Sequence, residues 1–239
     1  MAEKRRVDHL EYRSLAERHS DWAHSDLYVT FRKPIDPDVE RNLNEIPRKQ
    51  RAMVRKGIKA GLKGEVDTGV ERFFAAYSHS VHRLGTPVFS KRYFQILREV
   101  FGVDCEVLTV TQDQDLVSSV MSFYFRDEVL PYYGGGTDKA REVAGNDFMY
   151  WDLMRRACER GMRVFDYGRS KRGTGSFDFK KNWGFEPQPL HYEYKLIRGK
   201  RVPDVNPLNP KYRLAIKLWQ RLPLALANRI GPHIAKSLG

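Results

Sequence analysis

The chain has 239 residues, 41% of them hydrophobic and 12% aromatic, which suits a globular protein and excludes a disordered one. Its net charge of +12 points to an acidic partner (nucleic acid, nucleotide-linked sugar or anionic membrane) without choosing among them. Apolar runs are too short to span a bilayer, the N-terminus lacks the apolar stretch of a secretion signal, and Cys105 and Cys158 have neither disulfide-framework nor zinc spacing, so a cytoplasmic protein with buried thiols is expected.

Residues 1–37 are polar, with weak alternation at 7–13 and a stronger strand at 27–31 that Pro34 and Pro37 stop. Residues 38–62 form the most basic segment. Val39, Leu43 and Ile46, then Met53 and Ile58, recur at helical spacing, with Pro47 opening a second helix and Gly61 closing it. Arg48, Lys49, Arg51, Arg55, Lys56 and Lys59 crowd that helix with no acidic residue between Arg48 and Gly64. A solvated face is the bland reading, but uncompensated cations repel one another, so a phosphate-bearing or nucleic-acid partner is the more economical one.

Residues 69–85 carry an inner stripe of Phe73, Phe74, Tyr77, Val81 and Leu84, which reads as packing. His79 and His82 share a turn but have no third ligand, so no metal is expected. Ser90 should cap a helix over 91–101. Residues 105–136 read as three antiparallel strands, ending on Tyr132, Tyr133 and three glycines. Triple glycine either forms a flexible loop or invites a close ligand approach. A helix over 147–161 follows, then a buried strand over 164–167 that is expected to end on Gly168.

Residues 169–175, Arg-Ser-Lys-Arg-Gly-Thr-Gly, read as a cationic glycine loop whose backbone N–H groups can face an anion. Thr174 or Ser176 then caps a short helix over 177–183, which Gly184 ends, and 190–196 alternate as another strand. Two amphipathic helices are expected in the tail, over 211–222 and 224–238, suited to core packing or to a membrane surface. No Ser-His-Asp or Cys-His pair is convincingly placed, which disfavours a hydrolase.

The stretch FDYGRSKRGTGSFDFKKNWGFEPQPLHYEY resembles the C-terminal signature of the FemAB-like acyltransferases, particularly the branch associated with PEP-CTERM/exosortase and exopolysaccharide systems. Its FK-x-x-(W/F)-G core stands as Phe179 to Gly184. The family's R-x-x-(I/V)-R-K-x-x-K-x-G segment is matched by Arg51, Val54, Arg55, Lys56, Lys59 and Gly61, and its G-T-P-V-(Y/F) stretch by Gly85 to Phe89, just after Arg83. The resemblance covers roughly residues 40–239.

It implies an α+β, GNAT-like acyltransferase fold with a mixed, mostly antiparallel central sheet flanked by helices. Residues 1–37 would be the remnant of a truncated first GNAT-like subdomain, 38–62 a basic helical segment, 63–198 the acyltransferase domain and 199–239 an amphipathic tail. The implied reaction is attack of an amine on an activated acyl ester, forming an amide on a cell-envelope glycan or peptidoglycan precursor. Lys180, Phe179 and Asp166 would be catalytic; Arg83, Tyr132, Tyr133, Arg169, Lys181 and Trp183 would bind substrate. In this setting the functional reading of the triple glycine is preferred, since that strand end borders the acyl-transfer cleft.

No bound cofactor is implied; the donor would be aminoacyl-tRNA or acyl-CoA. The pyrophosphate loop of acyl-CoA enzymes, (R/Q)-x-x-G-x-(G/A), is matched poorly by residues 141–146, which leans towards aminoacyl-tRNA. Expected partners are a nucleotide- or lipid-linked anionic glycan precursor, tRNA, and the inner face of the membrane through the tail. The alternatives are an acyl-CoA-dependent N-acyltransferase of an exopolysaccharide amino sugar and a non-catalytic RNA- or membrane-binding relic.

Overall fold

The computed structural model describes residues 4–202 and 213–236. Its centre is a seven-stranded sheet in the order β4-β5-β6-β7-β8-β3-β9. The strands are β3 (Tyr28–Pro34), β4 (Lys63–Asp67), β5 (Cys105–Gln112), β6 (Asp115–Phe125), β7 (Glu128–Gly136), β8 (Val164–Lys171) and β9 (Pro187–Pro189). All neighbours are antiparallel except β7 and β8, which run parallel. A second, three-stranded sheet pairs β10 (His191–Leu196) with β1 (His9–Ser14) and β2 (Ala23–Ser25).

Helices cover both faces of the large sheet. On one face lie α1 (Val39–Glu45), α2 (Arg48–Lys59) and α6 (Gly145–Glu159); on the other lie α3 (Glu71–Arg83) and α4 (Lys91–Phe101). The central position of α6 explains why most of it is buried, Phe148, Met149, Trp151, Leu153, Met154 and Ala157 among its apolar residues. Ser90 caps α4 by accepting the Tyr93 N–H at 3.2 Å, and Gly184 adopts φ +79° after α7 (Gly175–Asn182), as their sequence positions predict. The tail helices α8 (Arg213–Gln220) and α9 (Leu224–Ala235) pack on α3, and α5 (Lys139–Glu142) is a single turn before α6. The described part of the tail matches the two expected helices; residues 203–212 and 237–239 lie outside the described residues.

Three local expectations change. β8 does not stop at Gly168 but continues to Lys171, because β3 supplies a partner: Tyr28, Val29 and Thr30 face Lys171, Ser170 and Arg169. The backbone of residues 169–171 is therefore committed to a ladder, and the expected anion-binding loop shrinks to 172–174. The triple glycine serves packing instead of a ligand. A Cβ on Gly135 would sit 2.7 Å from the Ser80 Cβ and 3.0 Å from the Tyr77 Cα, so α3 lies directly on this strand. Third, β2, β4, β9 and α5 are elements that local patterning does not announce. Cys105 and Cys158 are buried free thiols.

Candidate active site

The parallel pair organises the site. β7 and β8 are in register only at Glu128–Val164 and Val129–Phe165; beyond these two pairs the strands splay apart. β8 carries Asp166 and Arg169, and the helix after it returns Lys180 to the carbonyls of Gly168 and Arg169.

The Lys180 Nζ donates to the carbonyls of Gly168 at 3.1 Å and Arg169 at 3.0 Å, and lies 5.7 Å from the centre of the Phe31 ring. Burial lowers its pKa to about 8, opposed by the Asp166 carboxylate. An ammonium has three N–H donors. Two are directed at carbonyls, which leaves one N–H without a hydrogen-bond partner among the described residues.

Asp166 accepts the Gly168 N–H at 2.7 Å and ion-pairs with Arg32 Nε at 3.3 Å; Arg32 also bonds Glu128. Burial raises the carboxyl pKa, while the Gly168 N–H and Arg32 pull it down. Asp166 thus joins β8, β3 and the start of β7, with Arg32 as its guanidinium partner. Arg169 instead lies over the Tyr28 ring at 4.9 Å and donates to the Tyr192 hydroxyl at 2.7 Å; Tyr28 and Tyr192 stack at 4.5 Å. This leaves Arg169 an exposed, propped-up cation. Sequence reasoning missed Arg32, Glu128, Tyr28 and Tyr192, since only the pairing of β3 with β8 assembles them.

Phe179 packs against Tyr150, Tyr167 and Trp183 as the site's apolar floor. Lys181 is exposed. Trp183 corrects an expectation: it is 1% exposed, so it cannot present a face to substrate. Its Nε1 donates to the Asp147 carboxylate at 3.0 Å, which also accepts from Gln50 Nε2 at 3.3 Å. Burial raises the pKa of Asp147 against these two bonds. The trio ties α2, α6 and α7 together behind Lys180.

The remaining predicted residues fall in other places. Arg83 ends α3, 4.0 Å from Asp138, with Nε and Nη1 buried and unbonded. Burial and the nearby Arg141 lower its pKa. Tyr133 turns into the α3–α4 core and shares a 3.0 Å hydrogen bond with Tyr93, while Tyr132 is exposed beside Phe123. On α2, Gln50, Val54 and Gly57 face inward; Arg48, Lys49, Arg55, Lys56 and Lys59 are exposed along the outer face. Arg51 is partly buried and bonds the Asn44 carbonyl. Among the described residues no His, Cys, Asp and Glu cluster is placed to hold a metal. A groove of about 750 Å³ lined by Glu71, Arg92, Arg98, Glu99 and Glu106 lies at the β4–β5 end of the sheet, three strands from β8, and holds none of these residues.

A family profile described as an acetyltransferase (GNAT) domain matches residues 48–181, from the start of α2 to the end of α7. The chain belongs to this family. Acyltransferases of the family draw on acyl-CoA. Among solved structures, FemX superposes with a TM-score of 0.64 at 16% identity, covering 82% of this chain and 65% of the FemX chain. L-PGS from Bacillus licheniformis gives 0.54 at 13% identity, covering 84% and 68%. A C-terminal domain from Agrobacterium fabrum, of a protein assigned as a lysylphosphatidylglycerol synthetase, gives 0.52 at 15% identity, covering 72% and 61%. These likenesses establish a shared GNAT-like fold. No curated protein matches the sequence.

Proposed function

We propose that the chain is an N-acyltransferase that forms an amide on an amino group of an anionic cell-envelope glycan or peptidoglycan precursor, in the setting of an exopolysaccharide or PEP-CTERM system. The observation that carries the reading is the Lys180 ammonium, partly buried at the β7–β8 splay, with two of its donors directed at carbonyls. In attack of a neutral amine on an ester, the carbonyl oxygen becomes negative, and a fixed cation is worth most where water is scarce. The free N–H of Lys180 would meet that oxygen. Asp166 holds the strand end that supplies both carbonyls, and so acts on Lys180 by position and charge. Arg169, Lys181 and, at the end of α3, Arg83 would hold phosphate.

The donor we favour is aminoacyl-tRNA. An acyl-CoA pyrophosphate needs open amides at the start of the helix that follows the splayed strand. Here Gly145 is wedged against Val117, and the first turn of α6 already holds its own buried carboxylate, Asp147. That charge repels a second anion. The exposed cations of α2, contiguous with α7 where Gly184 abuts Pro47, suit a tRNA backbone. In this reading β3 completes the site from the N-terminal part of the chain.

The test is to incubate the purified chain with glycan precursors and either aminoacyl-tRNA or acetyl-CoA, and to follow acceptor mass. An aminoacyl increment that Lys180→Met lowers by about 10²-fold is expected. An acetyl increment from acetyl-CoA would overturn the donor assignment, and equal turnover by Lys180→Met would overturn the mechanism.

A further inference from the structure

The two tail helices present an outer face that the fold does not use. On α8, Ile216 and Trp219 turn inward: Trp219 is 9% exposed, and the His82 Nε2–H donates to its carbonyl at 3.1 Å. The opposite side carries Leu214 and Leu218, 69% and 56% exposed, interleaved with Lys217 and followed by Arg221. On α9 Ala227, Gly231 and Ala235 are buried, Gly231 against Val88 and Trp219, while Leu226, Arg229, His233 and Ile234 are exposed. Leu84, 64% exposed, adjoins this surface through Gly85, whose Cα lies against Ile216. Residues 213–236 contain five Lys or Arg and no Asp or Glu.

We infer that the outer face of α8 and α9 docks on an anionic lipid bilayer. Exposed aliphatic side chains alternating with cations fit the boundary between headgroups and acyl chains, where leucines leave water and each Lys or Arg gains from the surface potential. A nucleic acid would gain little from leucines; it rewards aromatic stacking, and the one aromatic residue of α8 is turned inward. A protein partner would meet a segment with five Lys or Arg and no Asp or Glu. Among the described residues no helix is long and apolar enough to cross a membrane, so the contact lies on the surface. The anchorage is firm on the protein side: Gln220 Nε2 donates to the Arg83 carbonyl at 2.7 Å and Asn228 Nδ2 to Ser78 Oγ at 3.4 Å. Docking therefore sets Arg83 near the lipid surface, where a lipid-linked phosphate would arrive. The docking itself does not depend on the acyl-transfer reading.

The full chain is sedimented with vesicles of phosphatidylcholine alone and of phosphatidylcholine with about one-third phosphatidylglycerol. Partition onto the anionic vesicles is expected to be at least tenfold stronger. The double variant Leu214→Glu, Leu218→Glu should weaken it about tenfold with unchanged circular dichroism, and Lys180→Met should leave it unchanged. Should the leucine variant unfold, Lys217→Glu with Arg221→Glu gives the same reading through charge alone. Equal partition onto both vesicles, or full binding by either folded double variant, overturns the inference. So does release of the protein from vesicles by a short RNA whose own binding the leucine variant loses, which would make this face a nucleic-acid site.

Discussion

Lys180 should make the fold less stable than it needs to be at neutral pH, and the penalty should fade as the solution becomes alkaline. Its amine ionises at about 8 in the folded protein, against the ordinary lysine value of 10.5 in the unfolded chain. Between those values the unfolded chain holds more protons than the native state, so stability rises with pH across that window. The linkage for one such group amounts to about 3 kcal/mol against folding at pH 7 and about 2 kcal/mol at pH 9. Lys180→Met removes it, along with two hydrogen bonds to carbonyls that together return about 2 kcal/mol. The methionine protein should therefore be as stable as the parent at pH 7 or slightly more so. Urea unfolding of both proteins at pH 7 and pH 9 gives the stability difference at each pH, and it should shift by about 1.3 kcal/mol in favour of the lysine protein. Other titrations cancel in that difference. A difference independent of pH would mean that the amine titrates normally and is not withdrawn from water. The same ionisation predicts a rate that falls above about pH 8, where the ammonium is lost, and Lys180→Arg should move that limb upward.

Asp147→Ala strands the Trp183 Nε1 and the Gln50 amide in the core, and a loss of about 1–3 kcal/mol is expected in urea unfolding; an unchanged midpoint would show that water reaches the trio. Gly135→Ala forces a methyl into α3 and should lower stability by about 1–3 kcal/mol, read as a fall in Tm. Arg169→Ala should raise KM for an anionic substrate about tenfold while kcat changes little, because the group binds phosphate and does not touch the reacting carbonyl; a loss confined to kcat would contradict that role. Arg48→Glu with Lys49→Glu should weaken tRNA binding and reduce its salt dependence, measured by filter retention across a salt series.

What was legible in the chain was local. The meander β5–β6–β7, the Ser90 cap, the stop at Gly184 and the stripe of α3 from Phe73 to Val81 each follow from neighbours within a few residues, and each stands where its pattern puts it; Leu84, expected to extend that stripe, is exposed instead. The placement of Lys180 beside β8 was legible too, because strand, turn and helix are consecutive. Pairing over long separations was not. Nothing near residue 169 announces that Thr30 will face it, so the strand's extension to Lys171 and the shortening of the anion loop could not be read locally. Trp183 shows the same limit: its motif position suggests a ligand, whereas its burial depends on a carboxylate 36 residues upstream. The glycines of β7 suggest the close approach of a ligand, whereas the structure brings helices against them: α6 at Gly134, α3 at Gly135, and α5 with α6 at Gly136.

The long-range pairing also decides what the N-terminal residues are for. β3 places Phe31 under the Lys180 amine, Arg32 against Asp166 and Glu128, and Tyr28 under Arg169. Arg32 bridges two carboxylates that would otherwise repel, and with it removed Asp166 is driven away from Glu128 and from its place beside Lys180. The Asp166 carboxylate is the negative charge that holds the Lys180 pKa up against burial. Arg32→Met should therefore lower the alkaline limb of the rate profile below pH 8 while Arg32→Lys restores part of it. A purely structural role for β3 would lower the rate at every pH alike. The profile thus separates a strand that merely completes the sheet from one that tunes the amine.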